Sequence, residues 1–495
     1  MKLRRYAGCV LAAALILALA AASAAAGATP TPTSPPAAVA QAVAQPAAAS
    51  TAAAADAPAA PGDACLAASA AALDAMTRSD FAAAVAHFNP QTRAHVDAAK
   101  LEQVWAQLAA SVGSYQRHGA VQRRSLRGQP VAVATLQFAN AKLDLVSACD
   151  AQDRITTFRL MPASMVELLA SGKPAAPVTE HVEAGGVRVQ AMAVASPAGP
   201  LRGALVLPAG SGPFPAVVLL AGSGPNDYDE TIGPNTPLRD LAAGLARHGI
   251  TSLRYDKRTR DYPQHWAGAD GATVDAEVTD DALTAVRALA GVAQVDPHRI
   301  FVLGHSLGAM MAPRIGQRDP GLAGLVLMAA PARSLLDVLV QQSREQGARQ
   351  GLPDAAVKRN VKAIEDEQRL LADAAPGTVP EGDFMGSPQS YWAGLHRYDQ
   401  AAVAKALSMP MLFLQGGADF QVSPTLDFAR WKQVLKGKSN VSFHLYPGLS
   451  HLFMPAGTSG TIADYQQRGH VAPQVIADIA AWITAQKPAS RGKRR

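Results

Sequence analysis

The chain is 495 residues long, too long for one ordinary domain, and 49% of it is hydrophobic, enough to bury a sizeable core. Its formal charge of +6 belongs to the two ends: Lys2, Arg4 and Arg5 at one, Lys487, Arg491, Lys493, Arg494 and Arg495 at the other. Without these eight the body holds 37 basic against 39 acidic residues, so the net charge does not imply nucleic-acid binding and none is expected, and three cysteines with no Cys-x-x-Cys or histidine-rich spacing point to no metal site.

In chain order, the basic residues at the start precede an apolar run from Tyr6 to Ala22, and Ala22-Ser23-Ala24 offers a small-residue cleavage site, with Ala26-Gly27-Ala28 as the alternative. The pattern predicts a secretory signal peptide over residues 1–24, hence an exported protein, periplasmic or secreted, with no stable membrane insertion after cleavage. An uncleaved anchor is the competing reading, although the run is short for a full span. Residues 25–62 are almost all Ala, Pro, Thr, Ser and Val and predict a disordered linker. Cys9 leaves with the signal. Cys65 and Cys149 remain, expected to form one disulfide in an oxidising compartment, with two buried free thiols as the alternative.

From 63 to 165 a small α+β domain is predicted. Leu73, Met76, Phe81, Val85 and Phe88 fall near helical spacing, and Leu101, Val104, Trp105 and Leu108 repeat it. Three alternating runs follow, ending at Phe138, Cys149 and Leu160, which suit an antiparallel sheet with one covered face.

From 177 to 487 the rhythm changes. "GVRVQAMAV" and "LRGALVLP" suit a hairpin-like beginning. Then six apolar runs alternate with helical stretches: Pro215–Gly222, Ile250–Asp256, Arg299–Ser306, Leu322–Ala330, Pro410–Asp419 and Val441–Gly448. Unalternating apolar strands between amphipathic helices predict a mostly parallel sheet covered on both faces, the doubly wound α/β class. Residues 332–407 interrupt that rhythm with charged helical stretches and predict a helical cap over the carboxyl edge of the sheet. Residues 488–495 form the basic tail.

The stretch Gly304-His305-Ser306-Leu307-Gly308 joins an apolar strand to a small-residue helix, the setting in which a serine is held out on a sharp turn. A serine hydroxyl needs a base, and the base needs a partner to fix its tautomer. Asp419 ends a strand in "LQGGAD" and His451 follows the last strand in "PGLSHLF", so the order Ser306, Asp419, His451 is that of the α/β-hydrolase fold. His305, His298 and His444 compete less well as base, and Asp427 less well as acid, because it falls in a helix after Pro424. For the oxyanion, the expected donors are the backbone N–H groups of Leu307 and Ser223, with Gly222 or Gly224 as a one-residue shift of the second. Pro313 is expected to bend or interrupt the helix after Ser306. Asp256, Lys257 and Arg258 are read as loop-anchoring ion-pair residues, and Tyr391 and Trp392 either as walls of an acyl pocket or as packing inside the cap.

With these residues, "GSGPND" at Gly222–Asp227, "LRYDKR", "GHSLGA", "QGGADFQV" and "PGLSHLF" together resemble bacterial α/β-hydrolase-fold serine esterases of the dienelactone hydrolase and serine aminopeptidase group. The N-terminal block resembles a small domain similar to nuclear-transport-factor-2-like folds. The resemblance implies the α/β-hydrolase fold, catalytic Ser306, Asp419 and His451, oxyanion donors Ser223 and Leu307, a small-molecule ester substrate and no cofactor. A serine peptidase or acyl thioesterase with the same triad, or a non-catalytic binding protein on the same fold, are the alternatives, and a homo-oligomer is left open.

Overall fold

The structure, a computed structural model, describes residues 62–489 apart from 127–128, 140–141, 164–165, 168–169, 171–176, 263–271, 350–351, 376 and 386. The predicted signal peptide, the linker to residue 61 and the tail from residue 490 lie outside the described residues.

The first unit has four helices, α1 (Asp63–Thr77), α2 (Phe81–Ala86), α3 (Pro90–His95) and α4 (Ala98–Val112), followed by five antiparallel strands. These are β1 (Tyr115–His118), β2 (Gln122–Leu126), β3 (Gln129–Phe138), β4 (Lys142–Cys149) and β5 (Ile155–Pro162). β1 and β2 share one edge of β3, and β4 and β5 extend the sheet from its other edge. The residues from Leu73 to Phe88 at near-helical spacing lie on two helices, because the chain breaks at Ser79, whose φ is 63°. Asp80 then starts α2 by accepting the Ala83 N–H at 3.0 Å, a side-chain cap that ends one helix and opens the next. Leu73, Met76, Phe88, Leu136 and Leu145 fill the core between helices and sheet. A disulfide joins Cys65 on α1 to Cys149 at the end of β4.

The second unit is built on a nine-stranded sheet in the order β16-β15-β12-β11-β9-β10-β8-β7-β6. A short antiparallel part, β6 (His181–Val182), β7 (Arg188–Ala191) and β8 (Gly203–Leu207), leads into six parallel strands. Those are β9 (Phe214–Leu220), β10 (Thr251–Tyr255), β11 (Val295–His305), β12 (Gly324–Met328), β15 (Met411–Gly416) and β16 (Val441–Tyr446). β8, β10, β12 and β15 are buried at every residue, the reason they carry no polar alternation. Neighbouring residues point to opposite faces. Val218, Val302 and Leu325 meet α6 (Asp281–Ala290) and α7 (Leu307–Arg318), while Val217, Phe301 and Val326 meet α5 (Pro237–Arg247) and α12 (Pro473–Ala485). This is the α/β-hydrolase arrangement.

Of the bend or interruption expected at Pro313, the interruption does not occur: helix α7 runs unbroken through it. Pro313 and its neighbours Ala312 and Ile315 are buried in that helix, and burial of a whole helix against a sheet outweighs one lost backbone hydrogen bond. Between β12 and β15 the chain forms a cap of α8 (Leu335–Arg349), α9 (Asp354–Asp373), a hairpin of β13 (Asp383–Phe384) and β14 (Ser387–Pro388), α10 (Gln389–His396) and α11 (Gln400–Ala406). Helix α4 of the first unit comes alongside α9 of this cap.

Candidate active site

Ser306 stands between β11 and α7 with φ 54° and ψ −117°, outside the usual regions for a residue with a side chain. The turn is held from three sides. Ser306 N–H donates to the Met328 carbonyl oxygen at the end of β12. A Cβ on Gly304 would lie 2.2 Å from the Gly308 backbone, and one on Gly308 would lie 2.7 Å from the Leu220 carbonyl oxygen, so strand and helix approach this closely only because both are glycine. Leu307 and Gly308 open α7, where first-turn amides have no partner within the helix.

Asp419 leaves the end of β15 and His451 the end of β16. Oδ2 of Asp419 lies 2.8 Å from Nδ1 of His451 and accepts from Gln415 Nε2 at 2.8 Å; Oδ1 accepts the Gln421 and Val422 N–H groups at 2.8 and 2.9 Å. Both residues are buried. With four donors around it the carboxylate is fixed, and it fixes the ring: the Nδ1 proton faces Asp419, leaving Nε2 as the lone-pair nitrogen. Backbone contact between the two loops is tight, since a Cβ on Gly416 would lie 2.3 Å from the Ser450 carbonyl oxygen.

Ser306 and His451 line one cavity of about 270 Å³, together with Gly222 and Ser223. Ser223 is exposed at its edge, and the loop is pinned by buried Asn226, whose Nδ2 donates to the Gly222 and Ser223 carbonyls at 3.1 and 3.0 Å. The Gly222 N–H is already committed, donating to Glu230 Oε1 at 2.6 Å, which removes Gly222 from the candidate oxyanion donors.

Asp427 lies away from His451: it is buried against the Arg333 guanidinium, with Oδ2 2.6 Å from Nη2, and accepts the Ala332 N–H. His444 is exposed near Asp478, and His298 is exposed near the start of β11. Asp256 pairs with Arg202 at 2.6 Å and accepts the Tyr228 N–H; Lys257 faces Glu277, and Arg258 grips Asp281 through two nitrogens. Burial, with Asp261 nearby, raises the Asp256 carboxyl to about 7 despite Arg202. Tyr391 and Trp392 are packed inside the cap: the Trp392 Nε1 donates to the Phe384 carbonyl oxygen, and the two rings meet edge to face. The cap wall of the cavity is instead one face of α8, formed by Leu335, Val338, Leu339 and Gln342. Their spacing of three, four and seven is a helical stripe legible in "LLDVLVQQ".

Sequence reasoning also missed Glu230. It is buried, has φ 53°, and brings Oε1 to 2.9 Å from Nδ1 of His305. Nothing in the local sequence marks it, because its partner lies 75 residues away. Among the described residues no group of three His, Cys, Asp or Glu side chains could hold a metal ion, and no helix is long and apolar enough to cross a membrane.

A serine on a strand-to-helix elbow, with a buried acid–histidine pair at the same edge of a parallel sheet, is the arrangement of serine hydrolases of the α/β-hydrolase class. The sequence profile of the family described as serine aminopeptidase, S33, matches residues 237–455. Esterase EstD of Thermotoga maritima is 32% identical over 408 residues, 82% of this chain and 92% of its own. Among solved structures, an acetyl xylan esterase from Paenibacillus sp. R4 is 16% identical, over 63% of this chain and 87% of its own, with a TM-score of 0.43. Est1E from Butyrivibrio proteoclasticus is 14% identical, over 60% and 99%, with a TM-score of 0.37. The chain belongs to the family of α/β-hydrolase-fold serine esterases that includes Esterase EstD.

Proposed function

We propose that the protein hydrolyses small carboxylic esters through an acyl-enzyme at Ser306, with His451 as base and Asp419 as the carboxylate that orients it. The observation that carries this reading is the 2.8 Å contact between Asp419 and His451 Nδ1, with His451 lining the same cavity as the elbow serine. In the first step Nε2 of His451 takes the hydroxyl proton as Oγ attacks the carbonyl carbon. The tetrahedral oxyanion accepts from the Leu307 and Ser223 N–H groups. Collapse breaks the ester C–O bond, and His451 gives its proton to the departing alcohol. Water, deprotonated by His451, then attacks the acyl carbon; the bond to Ser306 Oγ breaks, His451 returns the proton to Oγ, and the acid leaves. No step calls on a cofactor.

Fluorophosphonate labelling of the mature protein tests this, with the modified peptide mapped by mass spectrometry. Labelling is expected at Ser306 and lost in Ser306→Ala, together with a fall in p-nitrophenyl butyrate turnover of about 10⁴-fold or more. Folded wild-type protein that neither labels nor turns over the ester would overturn the reading. The family profile's description as a serine aminopeptidase favours amide cleavage as a second reading; faster turnover of aminoacyl nitroanilides than of the ester would establish it in place of the first. We also read the protein as exported. The signal-like start and a disulfide, a bond typical of oxidising compartments, support this. A mature N-terminus beginning after Ala24 or Ala28 in the periplasmic or secreted fraction is the expected result.

A further inference from the structure

Behind Ser306 lies a second charged pair that ester hydrolysis does not use. The side chains of His305 and Glu230 are only 5% and 2% exposed. Nε2 of His305 lies 2.9 Å from the carbonyl oxygen of His451, and Nδ1 lies 2.9 Å from Glu230 Oε1. A carbonyl oxygen can only accept, so Nε2 carries a proton. Glu230 Oε1 also accepts the Gly222 N–H at 2.6 Å, the setting of a carboxylate oxygen that receives two donors, with Nδ1 as the second. A ring with both nitrogens against acceptors is an imidazolium. Burial opposes that charge, but the Glu230 carboxylate, the His451 carbonyl and the more distant Asp419 outweigh it, and His305 titrates above the ordinary histidine value.

The position of this pair matters more than its charge alone. Gly222 precedes Ser223, the proposed oxyanion donor on the β9 loop. His305 precedes Ser306, the proposed nucleophile after β11. The carbonyl that His305 holds belongs to His451 itself, after β16. We propose that Glu230 and His305 form a positioning ion pair, tying the oxyanion loop and the base loop to the nucleophile so that three separate strand ends present one reacting geometry. The left-handed backbone of Glu230 and its Oε2, which has no hydrogen-bond partner in the described structure, are costs that a packing role alone would not require.

The pair also bears on the base electrostatically. The His305 and His451 rings are 4.6 Å apart between centroids. The groups facing His451 are Asp419, which favours its charged form, and the His305 imidazolium, which opposes it; Glu230 tempers the latter, and Tyr465 shares the cavity wall. Replacing His305 with a neutral side chain removes that cation from beside His451 and leaves the Glu230 carboxylate without its partner.

This inference rests on the catalytic reading above, and the two fail differently. His305→Gln and Glu230→Gln are compared with wild type in p-nitrophenyl butyrate hydrolysis between pH 5 and 9, after circular dichroism establishes that each folds. Both are expected to lower kcat about 10²-fold, the cost of a displacement near 1 Å at a reacting centre, with KM changed less than threefold. Independently of any variant's folding, ¹⁵N-histidine spectra of wild type should show one ring titrating above the ordinary histidine value, and a spectrum in which no ring does so would overturn the proposal. So would folded variants with wild-type kcat, provided the wild type is labelled at Ser306; wild type without labelling would instead defeat the catalytic reading.

Discussion

Asp419 accepts four hydrogen bonds, and only one of them serves His451. The other three, from Gln415 and from the Gln421 and Val422 amides, hold the carboxylate while Oδ2 dictates which ring nitrogen keeps the proton. Asp419→Asn preserves the shape but presents an amide where an acceptor is needed. The ring is then driven to the other tautomer, and kcat should fall by about 10⁴-fold with little change in KM. Steady-state kinetics on p-nitrophenyl butyrate would check this; a fall of less than tenfold would mean Asp419 does not set the tautomer. Ser306, Asp419 and His451 were legible because each sits in a short string whose neighbours declare a strand end: "VLGHS", "LQGGAD", "PGLSH". Glu230 was not. It reaches from the loop after β9 to His305 at the end of β11, 75 residues away, and an acidic residue in "NDYDET" reads as an ordinary loop charge.

At the scale of elements, the sheet was legible because strands buried on both faces leave unbroken apolar runs, and all six runs became parallel strands. The break at Ser79 and the continuous helix through Pro313 were not, since a side-chain cap and the burial of a helix are decided by tertiary packing rather than by apolar spacing. The cap shows the same division. Its existence followed from the length of the insert, but its working face is α8, whose stripe reaches the cavity, while aromatic Tyr391 and Trp392 turn inward to Glu277 and Phe384. In the proposed reaction that face would set acyl size. Leu339→Phe adds a ring to a space of about 270 Å³, so kcat/KM for p-nitrophenyl butyrate should drop about tenfold or more relative to p-nitrophenyl acetate, the discrimination expected of a hydrophobic pocket made smaller. An unchanged butyrate-to-acetate ratio would remove α8 from the acyl site.

Across the whole molecule the apolar cores are separate. The cluster around Leu73, Phe88 and Leu145 contains no residue of the hydrolase unit, and the two clusters flanking the large sheet contain none from the first unit. Such units unfold as distinct cooperative blocks. Cys65 and Cys149 are 84 residues apart and lie wholly within the first block. Closing a loop of that length removes enough freedom from the unfolded chain to stabilise the folded block by about 4–5 kcal/mol in the chain-entropy account. A 100-residue block has only about 5–15 kcal/mol to lose. The Cys65→Ser, Cys149→Ser double variant should therefore show an early transition in calorimetry, well below that of the hydrolase unit, and reductant should produce the same transition in the wild type. Ester turnover at 25 °C should change less than twofold, because the first block meets the cap along α9, whereas the cavity is walled by α8. A single transition shifted as a whole would mean that the two units fold as one. Loss of turnover alongside the early transition would mean that α4 supports the working geometry of the cap through α9.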